Sequence, residues 1–95
     1  MKRPAVYILA SQRNGTLYAG VTSNLVQRGW AHRKELREGF TKRYQINRLV
    51  YFEFYKTLSA AFARETAIKR WRRLWKIRLI EQVNPTWEDL YDTLF

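Results

Sequence analysis

The sequence predicts a small α+β fold, a three-stranded antiparallel sheet flanked by helices in the order ββα-β-ααα. Three observations predict it. Two short apolar runs, Ala5–Ala10 and Thr16–Val21, flank Gln12-Arg13-Asn14-Gly15, whose Asn-Gly pair favours a tight hairpin. A later run, Arg48–Tyr55, is rich in β-branched and aromatic side chains. The segments around these runs carry apolar residues at helical spacing, punctuated by capping residues.

Each element follows in order. The hairpin places Tyr7 and Tyr18 on neighbouring strands, where two phenols suit core packing, a stacking platform or a reaction centre. Thr22 or Ser23 can cap a helix from about Asn24 to Glu38, and Gly39 can stop it. Leu25, Gly29, His32 and Leu36 form one stripe of that helix, with Arg28 on its flank. A polar connector, Thr41-Lys42-Arg43, leads to Tyr44. In the third strand Leu49, Tyr51, Glu53 and Tyr55 share one face, and Val50, Phe52 and Phe54 share the other. The second face is wholly apolar and is expected to meet the core. Ser59 can cap a helix over Ala60–Arg70, whose stripe is Ala60, Ala63, Ala67 and Trp71 with Ile68 beside it. A further helix covers Leu74–Val83 until Asn84-Pro85 breaks it. Thr86 can cap a short last helix, Trp87–Leu94.

Ninety-five residues suit one domain, 1–95, with a single core. No cysteine is present, which excludes disulfides and thiolate metal sites and fits the cytoplasm. His32 is the lone histidine, so a multi-histidine zinc site is excluded. A catalytic metal would have to be a hard cation held by carboxylate and water. No apolar run approaches the ~20 residues that cross a bilayer. The run after Lys2-Arg3-Pro4 is too short for a signal-peptide core.

Eighteen Lys and Arg oppose eight Asp and Glu, a formal net charge of +10. Such a field attracts polyanions. The cations are interleaved with aromatic residues on several elements, so nucleic acid is the expected partner and not a membrane surface. Arg64, Lys69, Arg70, Arg72, Arg73, Lys76 and Arg78 form a basic run holding one acid, Glu65; beyond Arg78 there are four acids and no cation. The nucleic-acid face is therefore expected around Arg64–Arg78, with the tail turned elsewhere. Trp71 and Trp75 would also suit a homodimer.

Glu65 has two readings. It can hold a divalent cation whose shell is completed by water and phosphate. It can equally pair with Lys69, four residues on. Arg28 and His32 lie one helical turn apart. An arginine can stabilise charge on a transition-state phosphate, and a histidine can move a proton; both residues also suit ordinary packing and solvation. A phenol, with a pKa near 10, needs a cation or a metal nearby to act as a base at neutral pH.

The ordered set resembles the GIY-YIG nuclease superfamily, specifically small stand-alone bacterial predicted endonucleases of the UvrC–intron-endonuclease (URI) type. Val6-Tyr7-Ile8 and Tyr18-Ala19-Gly20 stand where the two triplets belong. Val21–Leu25, Arg28 and His32 follow, then Phe40-Thr41-Lys42, Tyr44 and Leu49-Val50-Tyr51. Arg64-Glu65, Ile68-Lys69, Trp71, Asn84-Pro85, Trp87 and Asp89-Leu90 complete the match. The departures are Val6 for glycine and Ala19 for isoleucine, both compatible with a strand.

The resemblance implies metal-dependent hydrolysis of a DNA phosphodiester. Tyr7 would be the general base or its relay, and Tyr18 would support it or bind phosphate. Arg28 would stabilise the transition-state phosphate, and His32 would assist proton transfer or position the nucleophile. Glu65 would hold one Mg²⁺ or Mn²⁺, whose bound water could protonate the leaving 3′ oxygen. Gly20 and Asn84 would support the site. Lys42, Arg64, Lys69, Arg70, Arg72, Arg73 and Lys76 are the expected nucleic-acid contacts. The alternative is a basic nucleic-acid-binding protein with weak or no nuclease activity, acting with a repair complex or another partner that supplies targeting.

The electrostatic reading has a direct check. DNA affinity should fall steeply with salt. Reversing Arg70, Arg72 and Arg73 to Glu should weaken binding and flatten the logarithmic salt slope, measured by fluorescence anisotropy, by about 0.9 for each phosphate no longer neutralised.

Overall fold

The apolar run Ala5–Ala10 forms the central strand, β1, and every one of its residues is buried. The computed structural model describes residues 3–28, 46 and 48–94. The remaining described elements are β2 (Leu17–Thr22), β3 (Arg48–Phe54), α1 (Leu58–Arg70), α2 (Arg73–Val83) and a 3₁₀ turn at Tyr91–Leu94. The sheet is antiparallel in the order β2-β1-β3. The α+β architecture is the one the sequence pattern predicts.

Successive β1 side chains point to opposite faces of the sheet, and both faces are covered. Val6, Ile8 and Ala10 pack with Ala19, Val50, Tyr51, Ala61, Ile68, Ile80 and Trp87. Ala5, Tyr7 and Leu9 pack with Leu25, Ile46 and Leu49, supported by Tyr18, Phe52, Phe54, Leu90 and Leu94. The continuous apolar run is the signature of a strand buried on both sides.

β3 departs from the expected alternation. Its register against β1 shifts between Ile8 and Leu9: Ile8 faces Tyr51, yet Leu9 faces Leu49, leaving Val50 as an extra residue. This bulge reverses the side-chain parity. Leu49 joins Phe52 and Phe54 beneath the Tyr7 face, while Val50 joins Tyr51 on the other. The expectation that Val50, Phe52 and Phe54 form one core face is therefore corrected: β3 contributes to two cores.

The hairpin is looser than the Asn-Gly pair predicts. Ser11 donates its backbone N–H to Thr16, and Gly15 donates to Gln12. Asn14 takes the left-handed conformation, with φ 57°, a region that asparagine tolerates better than most residues. The cap after β2 is Asn24, whose Oδ1 accepts from the Gln27 N–H at 3.2 Å. Thr22 instead orders the approach by accepting from the Asn24 N–H. Residues 25–28 are helical. Gly29, His32, Leu36, Gly39, Lys42 and Tyr44 lie outside the described residues.

α1 is capped by Thr57, not Ser59, through a bond from the Ala60 N–H to Thr57 Oγ1 at 3.1 Å. Its buried residues are Ala61 and Ile68, and the expected Ala60–Ala63–Ala67 stripe is exposed. Alanines offer little area to bury, so Ile68 sets the rotation of the helix, and Ala61 permits close approach to the sheet. α1 packs on β1 and β2, and α2 reaches β3.

Asn84 ends α2 as expected, and its buried amide then joins two segments. Nδ2 donates to the Val50 carbonyl at 3.0 Å and to Glu88 at 2.8 Å, while Oδ1 accepts from the Glu88 N–H at 3.0 Å. Trp87 follows with φ 59°. Its strained backbone is offset by complete burial and by an indole N–H bond to Glu81 at 2.7 Å. Only Tyr91–Leu94 of the expected Trp87–Leu94 helix forms, as a 3₁₀ turn. Asn84→Ala would strand these buried backbone groups and should cost about 2–4 kcal/mol in urea unfolding.

Candidate active site and nucleic-acid interface

Tyr7 and Tyr18 come together because β1 and β2 pair antiparallel, with Tyr7 opposite Gly20 and Leu9 opposite Tyr18. Their ring centroids are 6.5 Å apart and their planes are tilted by 36°. Tyr7 is 1% exposed, while Tyr18 is half-buried. Gly20 makes this packing available. A Cβ there would stand 2.5 Å from both Cζ and the hydroxyl oxygen of Tyr7, far inside contact distance. The backbone of β2 thus forms the floor under the Tyr7 phenol.

Arg28 is half-buried and lies in the helical turn that follows β2; its N–H donates to the Asn24 carbonyl. Leu25 of the same turn packs in the cluster that contains Tyr7. Strand, glycine, cap and arginine are therefore positioned by one continuous piece of chain. His32 and Lys42 lie outside the described residues.

Glu65 belongs to a different layer. The buried residues of its helix, Ala61 and Ile68, pack on the sheet face opposite Tyr7. Its carboxylate accepts a 2.9 Å ion pair from Lys69, and its side chain keeps 13% exposure. Asn84 also serves that face, holding the Val50 and Glu88 backbone. Among the described residues no group of three or more His, Asp or Glu side chains converges as a metal cage. A hard divalent cation at a lone carboxylate such as Glu65 would bring most of its shell as water and phosphate oxygens, in place of the Lys69 ion pair.

The basic run is partly engaged within the molecule. Arg64 Nε donates to Glu53 at 2.7 Å, and its guanidinium lies 5.0 Å from the Trp71 ring centroid. Arg73 grips the hairpin turn, donating to the Asn14 carbonyl at 2.7 Å and to Gly15 at 2.6 Å. Arg73 and Lys76 line an open cleft of about 510 Å³ with Asn14, Gly15, Thr16 and Leu17. Arg70 and Arg72 are exposed.

Sequence reasoning overlooks the cluster around Glu53. Its carboxylate accepts from both flanking phenols, Tyr51 and Tyr55, and from Arg64; the Tyr55 bond is 2.6 Å. Burial opposes the charged carboxylate, but the three hydrogen bonds and the Arg64 charge outweigh it and hold the pKa below the ordinary value. Burial, then the bond and charge of Glu53, push Tyr51 well up. Tyr55 moves the same way for the same reasons. The available signal is an acid in an apolar strand with tyrosine two positions away on each side. The cluster ties α1 to β3 one residue before Glu65.

The strand order, the paired phenols and the glycine beneath Tyr7 define a hairpin-centred α+β domain. Residues 3–78 match the family described as the GIY-YIG catalytic domain, and the chain belongs to the GIY-YIG family. A UPF0213 protein of Clostridium perfringens is 39% identical over 75 residues, covering 79% of this chain and 80% of that one. A UPF0213 protein of Staphylococcus aureus is 36% identical over 77 residues, covering 81% of this chain and 93% of its own length. The solution NMR structure of a UPF0213 protein from Bacillus halodurans shares the fold, with a TM-score of 0.57, 24% identity and 92% coverage of each chain.

The Glu53 cluster sets a pH dependence. A carboxyl held low in the folded state stabilises the fold above its unfolded pKa of about 4.3, and that contribution is lost as pH falls through the lower folded value. For Tyr51, raised by burial, the contribution is present below about pH 10 and is lost at higher pH. Glu53→Gln should cost about 1–3 kcal/mol near neutral pH and flatten the acid loss of stability, read from urea unfolding between about pH 3 and pH 7.

Proposed function

We propose that the chain is a metal-dependent DNA endonuclease in which the tyrosine pair, Arg28 and His32 act from one layer and Glu65 from the other. The observation that carries this reading is Tyr7 seated over Gly20 and paired with Tyr18 on the adjacent strand, in a chain of the GIY-YIG family. Tyr18, the more exposed phenol, meets the substrate side, and Tyr7 acts through its contacts to draw a proton from the attacking water. Arg28 balances the charge that grows on the phosphate. His32 assists proton transfer or positions the nucleophile, and as the bond from phosphorus to the 3′ oxygen breaks, that oxygen takes a proton from water. Glu65 would hold Mg²⁺ or Mn²⁺, which would supply positive charge against the phosphate oxygens. β2 is an edge strand, and α1 packs against it. A DNA backbone following that edge would meet groups from both layers.

One observation favours a second reading, a nucleic-acid-binding protein with weak or no nuclease activity: Glu65 is already satisfied by Lys69. The two readings diverge in one experiment. Supercoiled plasmid and branched DNA are incubated with Mg²⁺ or Mn²⁺, and with chelator. For a nuclease, Tyr7→Phe and Glu65→Ala each reduce cleavage by about a hundredfold or more while DNA binding persists. Cleavage that survives both changes counts against the centre. For a pure binder no substrate is cut, and Glu65→Ala leaves binding equal or tighter, because it removes the one acid from a basic surface.

A further inference from the structure

We propose that the cleft between Trp71 and Trp75, at the corner where α1 turns into α2, is a stacking site for one base of single-stranded nucleic acid. It is lined by Trp71, Trp75, Arg78, Leu79 and Gln82 and has a volume of about 290 Å³. Ligand pockets run from about 300 to 1,000 Å³, so this cleft has room for about one base and little more. The two indoles meet edge to face, with centroids 6.2 Å apart and planes at 76°. Trp75 is 49% exposed. Trp71 is braced from elsewhere by the Arg64 guanidinium. The site thus has a held aromatic wall, an open one, an aliphatic floor at Leu79, and an amide at Gln82 able to donate and accept.

Charge selects the occupant. Six cations and no acid lie between Glu65 and Glu81 in the chain. Glu81 itself accepts from the Trp87 indole. Arg78 lines the cleft, and Arg72 is exposed beside Trp71. Aromatic faces interleaved with arginines are how sequence-tolerant single-strand sites hold bases and phosphates together. A second copy would bring two +10 chains together through one of their basic faces, which repulsion opposes. A paired base within a duplex has no free face to offer Trp75, so the site discriminates strand state.

The inference rests on the nucleic-acid reading above, and its test separates the two. The full chain is titrated, with chelator present, against a labelled oligothymidine and a blunt mixed-sequence duplex of equal length. Trp75→Ala should weaken oligothymidine binding by about tenfold and leave duplex affinity within about twofold. Trp75→Phe should keep most of the binding, since it keeps a ring. Unchanged oligothymidine binding, or equal losses on both probes, overturns the proposal while plasmid cleavage and duplex binding stand. So does sedimentation showing a dimer that Trp75→Ala dissociates. A chain that binds neither probe at low salt overturns both readings. A thermal melt matching wild type shows that Trp75→Ala, a half-exposed position, has kept its fold.

Discussion

Both faces of β1 must be kept from water, and the other described elements take their places from that requirement. A six-residue run with no polar side chain except the Tyr7 hydroxyl cannot lie at the surface of a small sheet. β2 and β3 satisfy its backbone on either side. α1, α2 and Trp87 cover one face; the turn at 25–28 and the C-terminal Leu90 and Leu94 cover the other. Tyr7 is caught within this arrangement. Its ring is a core residue by burial, and only the missing side chain of Gly20 leaves space for its hydroxyl end.

The acids of this basic chain are few, and several are committed. Glu53 holds two phenols and Arg64, Glu65 holds Lys69, and Glu81 holds an indole. Asp89 accepts from the backbone of Leu49 and Tyr91. The acidic tail is thereby tied to β3, while the exposed Arg70 ends α1, the helix that packs against β2 and β1, and the exposed Arg72 opens α2.

The fold is largely legible in the sequence because its signals are local. Apolar runs, an Asn-Pro break and capping residues report on their own neighbourhoods, and they place the three strands, α1 and α2 within a residue or two. Val50 escapes such a reading because a bulge depends on what β1 offers opposite, and nothing within β3 announces it. The Ala60–Ala63–Ala67 stripe misleads because periodicity counts residues without weighing area, and Ile68 outweighs three alanines. At the site, Tyr7, Tyr18 and Gly20 can be read as a unit, since strand pairing follows from the hairpin. The Glu53 cluster cannot, because Arg64 reaches it from another element. Glu65 is open to two partners by spacing, and the fold places its helix across the sheet from the phenols.

Arg73 grips the hairpin by two carbonyl oxygens, not by any side chain. Such a clamp is blind to residue identity in the turn and sensitive only to backbone shape. That shape is set within the turn, by the left-handed Asn14 and by Gly15, where a Cβ would collide with Ser11 Oγ, and α2 is fastened to it. A position that looks free to vary would be mechanically coupled to the basic helix, so a change of loop length there would be felt at Lys76 before it was felt in the core.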